Sequence, residues 1–230
     1  MTATELAARL MPESMVGCAR VSRSVIAGTQ ELIIANSPLL FQLIMILAQS
    51  LQSGYNPLRD TISSLVWGHS GWLQTVNFLL FGGLMMAFAK RFRLPAANGI
   101  RPRTGSILLY LIGAGFIILA VCPSQSPEGL KTIQSIIHGL TVYFMTFSFP
   151  AACFLLAPGL RNGKRSGPIF FYTVVTGCLG LILIALGILL VAVGAHWFGM
   201  LERLLLLNGF AWLEIVGVYC MKLNPESQRN

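Results

Sequence analysis

Long apolar runs alternate with short polar and basic blocks along this chain of 230 residues. The runs are roughly Ser37–Leu51, Leu73–Phe88, Ile107–Val121, Ile133–Leu156, Ile169–Val193 and Leu204–Met221. None alternates residue by residue, as the strand of a membrane barrel would. A helix needs about 20 predominantly apolar residues to cross the hydrocarbon core, and lipid leaves the backbone no other way to satisfy its hydrogen bonds. Five runs read directly as spans. The first is short, carries Asn36, Ser37 and Pro38 at its start, and fills a span only by beginning near Glu31. The pattern therefore predicts an all-α polytopic bundle of six transmembrane helices over residues 31–222, preceded by a segment 1–30 and followed by a tail 223–230.

Charge sets the expected orientation. Arg9, Arg20, Arg23, then Lys90, Arg91, Arg93, Arg101, Arg103, then Arg161, Lys164, Arg165, and finally Lys222 and Arg229 fall on one side, 13 basic residues in all. The other side has 3, namely Arg59, Lys131 and Arg203. The positive-inside rule puts the 13 in the cytoplasm, so both termini are expected there, in the inner membrane of a bacterium. The net charge of +8 is then a topology signal that attracts anionic lipid, and nucleic acid is not expected as a partner. Mean hydropathy of +0.72 and 10% charged residues agree, since soluble domains carry about 25%. Residues 1–30 lack an apolar signal core and are read as retained. Within them Thr4–Leu10 fits a surface amphipathic helix or a frayed tail.

Chemistry is sparse. Cys18, Cys122, Cys153, Cys178 and Cys220 form no CxxC pair and suggest neither a disulfide framework nor a zinc site. No phosphate loop, dinucleotide fingerprint or nucleophile elbow is present, and no cofactor is expected. Gly82 and Gly83 suit close helix contact.

The inferred outer loops hold the unusual residues: Tyr55–Ser64, Pro123–Glu128, and His196–Gly199 leading into Glu202 and Arg203. Three histidines lie near this face. With Asp60, Glu128 and Glu202 they leave a metal or acid–base site open. His69 and His196 sit beside tryptophans, where interfacial anchoring is the competing role. His138 lies inside span four, with Gln134 and Thr141 on its helix face, so it is expected to face the interior and to meet the first or third outer loop. Asp60 and Ser63 have the i, i+3 spacing of helix capping. Together with His138 they are the candidate catalytic residues. Arg59 with Asp60, and Glu202 with Arg203, read as ion pairs tying loops together. Glu214 is 11 residues past Arg203, near midplane, and an inward stripe of Arg203, Leu207, Ala211 and Glu214 would let its carboxyl bond a neighbouring span. Thr61–Gly68 and Thr132–Gly139 also repeat weakly, each entering an even-numbered span.

Tyr55–Ser63, the Asn77–Gly83 stretch, Pro123 with its polar loop, His138-Gly139, and Gly199 to Arg203 with Trp212 resemble, in order and spacing, the bacterial membrane family called domain of unknown function 998. The resemblance covers about Ser37–Met221 and implies a multi-pass membrane protein without implying a reaction. In that family an Asp closely follows the proline of the second outer loop. Here the nearest acid is Glu128. The leading functional reading is an accessory or structural subunit of a membrane complex, with lipid and other membrane subunits as partners. The alternatives are an outer-leaflet lipid-modifying enzyme and a small proton-coupled transporter using Glu214 and His138. If the orientation holds, cysteines introduced at Ser126 and Gly199 will react with an impermeant thiol reagent on intact cells. A cysteine at Asn162 will react only after permeabilisation.

Overall fold

The computed structural model describes residues 33–34, 36–92, 100–124, 132–161 and 167–223. The N-terminal segment, Glu128, Lys131 and the C-terminal tail lie outside them. Among the described residues the chain is all helical. Six α-helices follow one another: α1 Ser37–Ser50, α2 Gly71–Phe92, α3 Ile100–Val121, α4 Ile133–Leu156, α5 Gly167–Ala192 and α6 Phe198–Leu223. Short 3-10 turns, Ile62–Trp67 and Ala157–Arg161, precede α2 and follow α4. Helices α2 to α6 are each long and apolar enough to cross a membrane. Helix α1 has 14 residues and is about 21 Å long at 1.5 Å per residue, short of a hydrocarbon core of about 30 Å. Ile33 and Ile34, just ahead of it, are also helical.

The helix starts follow from local chemistry. Pro38 occupies the first turn of α1, where its missing N–H costs nothing. At α4, Thr132 Oγ1 accepts the Ser135 N–H at 3.1 Å and Ser135 Oγ accepts the Thr132 N–H at 2.9 Å, a reciprocal cap. Thr61 holds the equivalent extended conformation ahead of Ile62–Trp67, so the repeated segments share a helix-entry geometry. The likeness ends there. The first copy is a 3-10 turn that stops at Gly68, and α2 begins afresh at Gly71, because Gly71 lies against the Val66 carbonyl with no room for a side chain.

Each long helix packs against its neighbours in the chain, and α6 returns to α1, so the six form a ring. Close approach is set by small residues. A Cβ on Gly82 would stand 2.6 Å from the Gly113 carbonyl oxygen, so the backbones of α2 and α3 touch. Gly83 faces open space and does not share this role. Inside the ring Phe41, Phe78, Phe81, Phe116 and Phe210 stack edge-on or tilted, with centroids 4.8 Å apart for Phe81 and Phe116 and 5.1 Å for Phe41 and Phe210. A polar contact ties α2 to α1 across this core: Asn77 Nδ2 donates to the Phe41 carbonyl at 3.0 Å. Outside, Leu43, Leu140, Ile182 and Val191 are all well exposed. That is the pattern of helices solvated by lipid.

Two ends result. One carries the loops after α1, α3 and α5. The other carries Lys90, stacked over Tyr110, and Arg161, stacked over Phe170. The described basic residues Lys90, Arg103 and Arg161 fall at this second end, and Arg59 and Arg203 at the first.

Candidate functional site

The first two turns of α6 and the loop after α1 form one hydrogen-bonded unit. Arg203 sits one turn into α6, and its planar guanidinium can address several acceptors at once. Nη1 donates to the Gly199 carbonyl at 2.8 Å and the Asp60 carbonyl at 3.1 Å. Nη2 donates to Tyr55 Oη at 2.6 Å and to Gln49 Oε1 at 3.2 Å. The guanidinium also lies 5.6 Å from the centre of the Tyr55 ring. Tyr55 passes its own proton to the Thr61 carbonyl at 2.8 Å.

Glu202 reaches the same loop by a different route. Its Oε2 accepts the Ile62 N–H at 2.7 Å, and the Met200 N–H donates to the Leu58 carbonyl at 3.0 Å. Gly199 is required where the strands of chain meet, since a Cβ there would strike the Asp60 carbonyl. The position therefore cannot carry a labelling cysteine, and exposed His196 is the position for that probe.

The loop is also closed on itself. Asn56 Oδ1 accepts the Leu58 N–H at 3.0 Å, and Asp60 Oδ2 accepts the Asn56 N–H at 2.8 Å. Asp60 Oδ1 meets Arg59 Nε at 3.0 Å in an exposed pair. Asp60 thus caps its own turn and not the 3-10 helix. Burial alone would raise its pKa. The Asn56 N–H, Arg59 and Arg203 outweigh that and hold the carboxyl below its usual range. Tyr55 shows the opposite balance: burial pushes its pKa up despite the hydrogen bond from Arg203.

The expected Glu202–Arg203 pair is replaced by two separate links into the first loop. Ser63 is buried, its Oγ 3.2 Å from Thr61 Oγ1. The second loop joins through Ser124, which donates to the Ser63 carbonyl at 3.5 Å and accepts from Trp67 Nε1 at 3.3 Å. His138 is buried, and its Nδ1 lies 2.8 Å from the Cys122 carbonyl at the end of α3. That bond favours the tautomer with the proton on Nδ1 and joins α4 to the second loop. The partner expected from the first or third loop is not the one it uses. His69 and His196 are exposed.

Glu214 is half-buried and has no hydrogen-bond or ion-pair partner among the described residues. Its proposed stripe is not inward, for Leu207 is 50% exposed and Ala211 is exposed too. The buried face of α6 runs instead through Gly209, Phe210, Leu213 and Val216, and Arg203 and Glu214 lie on its flank. Among the described residues no three His, Cys, Asp or Glu side chains converge as metal ligands. Glu128 lies outside those residues. Gln49, Tyr55 and Gly199 were not singled out as site residues. Their signal was polarity at the end of an apolar run and membership of the Tyr55–Ser63 motif.

A helical bundle with five bilayer-length apolar helices and its loops laced at one end is a multi-pass membrane protein. The chain belongs to the family described as protein of unknown function (DUF998), whose model matches residues 36–219. Neither a curated protein nor a solved structure matches it.

Arg203→Met strips four acceptors of their donor and is expected to lower stability by on the order of 3 kcal/mol. Arg203→Lys restores the charge without the planar fork and should recover only part. Thermal melts in detergent read both. Asp60 gives a pH test. Its folded pKa lies below the unfolded value of about 3.9. Its contribution is therefore complete at neutral pH and disappears as pH falls through the folded pKa. Asp60→Asn should lower the melting temperature at pH 7 and flatten its decline in acid.

Proposed function

We propose that the protein crosses a bacterial inner membrane six times, with both termini cytoplasmic, and serves as an accessory or structural subunit of a membrane complex. The 13-to-3 asymmetry of basic residues between the two sides supports the orientation. Helix α1, with Ile33 and Ile34 ahead of it, supplies the sixth crossing.

Tyr143 carries the subunit reading. It lies ten residues into α4, about 15 Å deep at the helical rise and so near midplane. It is 67% exposed on the outside of the ring. Its hydroxyl has no hydrogen-bond partner among the described residues. Membrane tyrosines concentrate at the interfaces, where the hydroxyl meets water. A bare hydroxyl in hydrocarbon costs about 2–7 kcal/mol. A transmembrane helix of another chain, offering an acceptor, removes that cost. Leu140, Phe144 and Phe147 extend the same exposed ridge and provide the packing surface.

The enzymatic reading is less well supported. Asp60, Ser63 and His138 are each engaged in bonds that hold loops and helix ends. The transporter reading is less well supported, because Glu214 lies on the flank of α6 and not on its buried face.

A photoreactive phenylalanine analogue replacing Tyr143 should give a discrete cross-linked protein adduct in intact membranes. The same analogue at Leu189 on the exposed side of α5 should not. An adduct of twice 25.0 kDa identifies a second copy of this chain. Lipid adducts alone at both positions would overturn the proposal.

A further inference from the structure

The ring holds a cavity of about 130 Å³ between α2, α3, α4, α5 and α6. Its walls are apolar and soft, built largely from Phe81, Met85, Phe116, Met145, Phe149 and Leu206. Along α6 it runs from Glu202 to Leu213, eleven residues or about 16 Å at 1.5 Å per residue. It is therefore a narrow slot parallel to the helices. An apolar cavity of about 150 Å³ stays dry and takes up a small hydrocarbon such as benzene, so this slot suits a segment of hydrocarbon chain and not a water cluster. Val142, Met145, Thr146 and Leu205 line it and keep partial exposure, so the slot opens to its surroundings. Along five bilayer-length helices those surroundings are lipid.

One end of the slot is chemically distinct. Among the described residues Glu202 is its only charged lining residue. One of its oxygens takes the Ile62 N–H, and a carboxylate has acceptor capacity for about three further donors. The neighbouring cation does not fill that capacity, because both Arg203 terminal nitrogens point to Gly199, Asp60, Tyr55 and Gln49. A carboxyl oxygen with spare acceptor capacity at one end of a hydrocarbon slot selects an amphiphile by both parts. We infer that the slot binds the chain of a single-chain amphiphile whose head donates hydrogen bonds to Glu202, a long-chain amine. An ammonium head would give that oxygen a charged donor, whereas an ionised carboxylate head would offer it none.

This inference is independent of the subunit reading, since the slot lies inside the ring and Tyr143 outside it. The test uses the full chain in phosphatidylcholine vesicles and two probes, an eighteen-carbon amine and the matching carboxylic acid (chain length about that of a common lipid tail), each with a diazirine in the chain. The amine is expected to label Phe116, Met145 and Leu206 about tenfold more than the acid does. Val142→Trp and Leu205→Trp, which fill the slot from two helices, should each remove the labelling, and Glu202→Gln should abolish the preference for the amine. Unlabelled octadecylamine added to the unaltered protein should compete, which keeps the test decisive if a tryptophan variant fails to fold. Labelling confined to lipid-facing residues such as Leu140 and Leu207, or a failure to compete, would overturn the site. Equal labelling by the acid would overturn the role of Glu202 in selecting the head.

Discussion

A guanidinium placed within an apolar bundle must find acceptors for its donors, and Arg203 finds them on three separate parts of the chain. Gln49 ends α1, Tyr55 and Asp60 belong to the following loop, and Gly199 belongs to α6 itself. An unsatisfied buried donor costs about 1–3 kcal/mol, and more when charged, so these four bonds act as one condition. They hold when the first and last helices lie side by side and fail when they part. Glu202 adds a backbone contact at Ile62, which fixes the direction in which the loop leaves.

Elsewhere the ring relies mostly on fit, beside interhelical hydrogen bonds such as Asn77 to the Phe41 carbonyl and Trp212 Nε1 to Thr173 Oγ1. Hydrocarbon around a membrane helix is as apolar as its side chains, so burial alone gives little drive to associate, and close packing must supply it. The Gly82–Gly113 contact and the Phe cluster show two versions of that packing, backbone against backbone and ring edge against ring face. The centre is less completely filled than the walls, and the slot beside Phe116 and Phe210 is what remains.

Much of this architecture could be read from the chain. The six apolar runs became six helices, and a periodicity set by bilayer thickness needs no knowledge of neighbours. Gly82 was legible as a contact point because small residues matter wherever helices touch. The polar loop residues were legible as a group, because hydrophilic side chains gathered at one face of a bundle have few places to go. Their partners were not. Glu202 and Arg203 are adjacent, which suggested a pair, yet successive residues on a helix point about 100° apart and do not face each other. The Arg203–Glu214 stripe failed for a related reason. Eleven residues is close to three turns, so the two do share a direction, but the sequence does not say which direction is inward. Only the packing of Gly209, Leu213 and Val216 decides that. Tyr55 and Gln49 went unassigned because hydrogen bonds over about 150 positions of sequence leave no local trace.

The span of those bonds has a consequence for how the protein is made. Neighbouring helices can pair as each enters the bilayer, because every one of those contacts is local. The strap cannot form until α6 has arrived, since it joins Gln49 to Arg203 across nearly the whole chain. Until then the Tyr55–Ile62 loop must keep its carbonyls and N–H groups in water, away from the hydrocarbon. The bundle is thus assembled as an open row and becomes a ring in a single late step. A chain interrupted before residue 203 would leave that row unclosed, its first helix held by α2 on one side only.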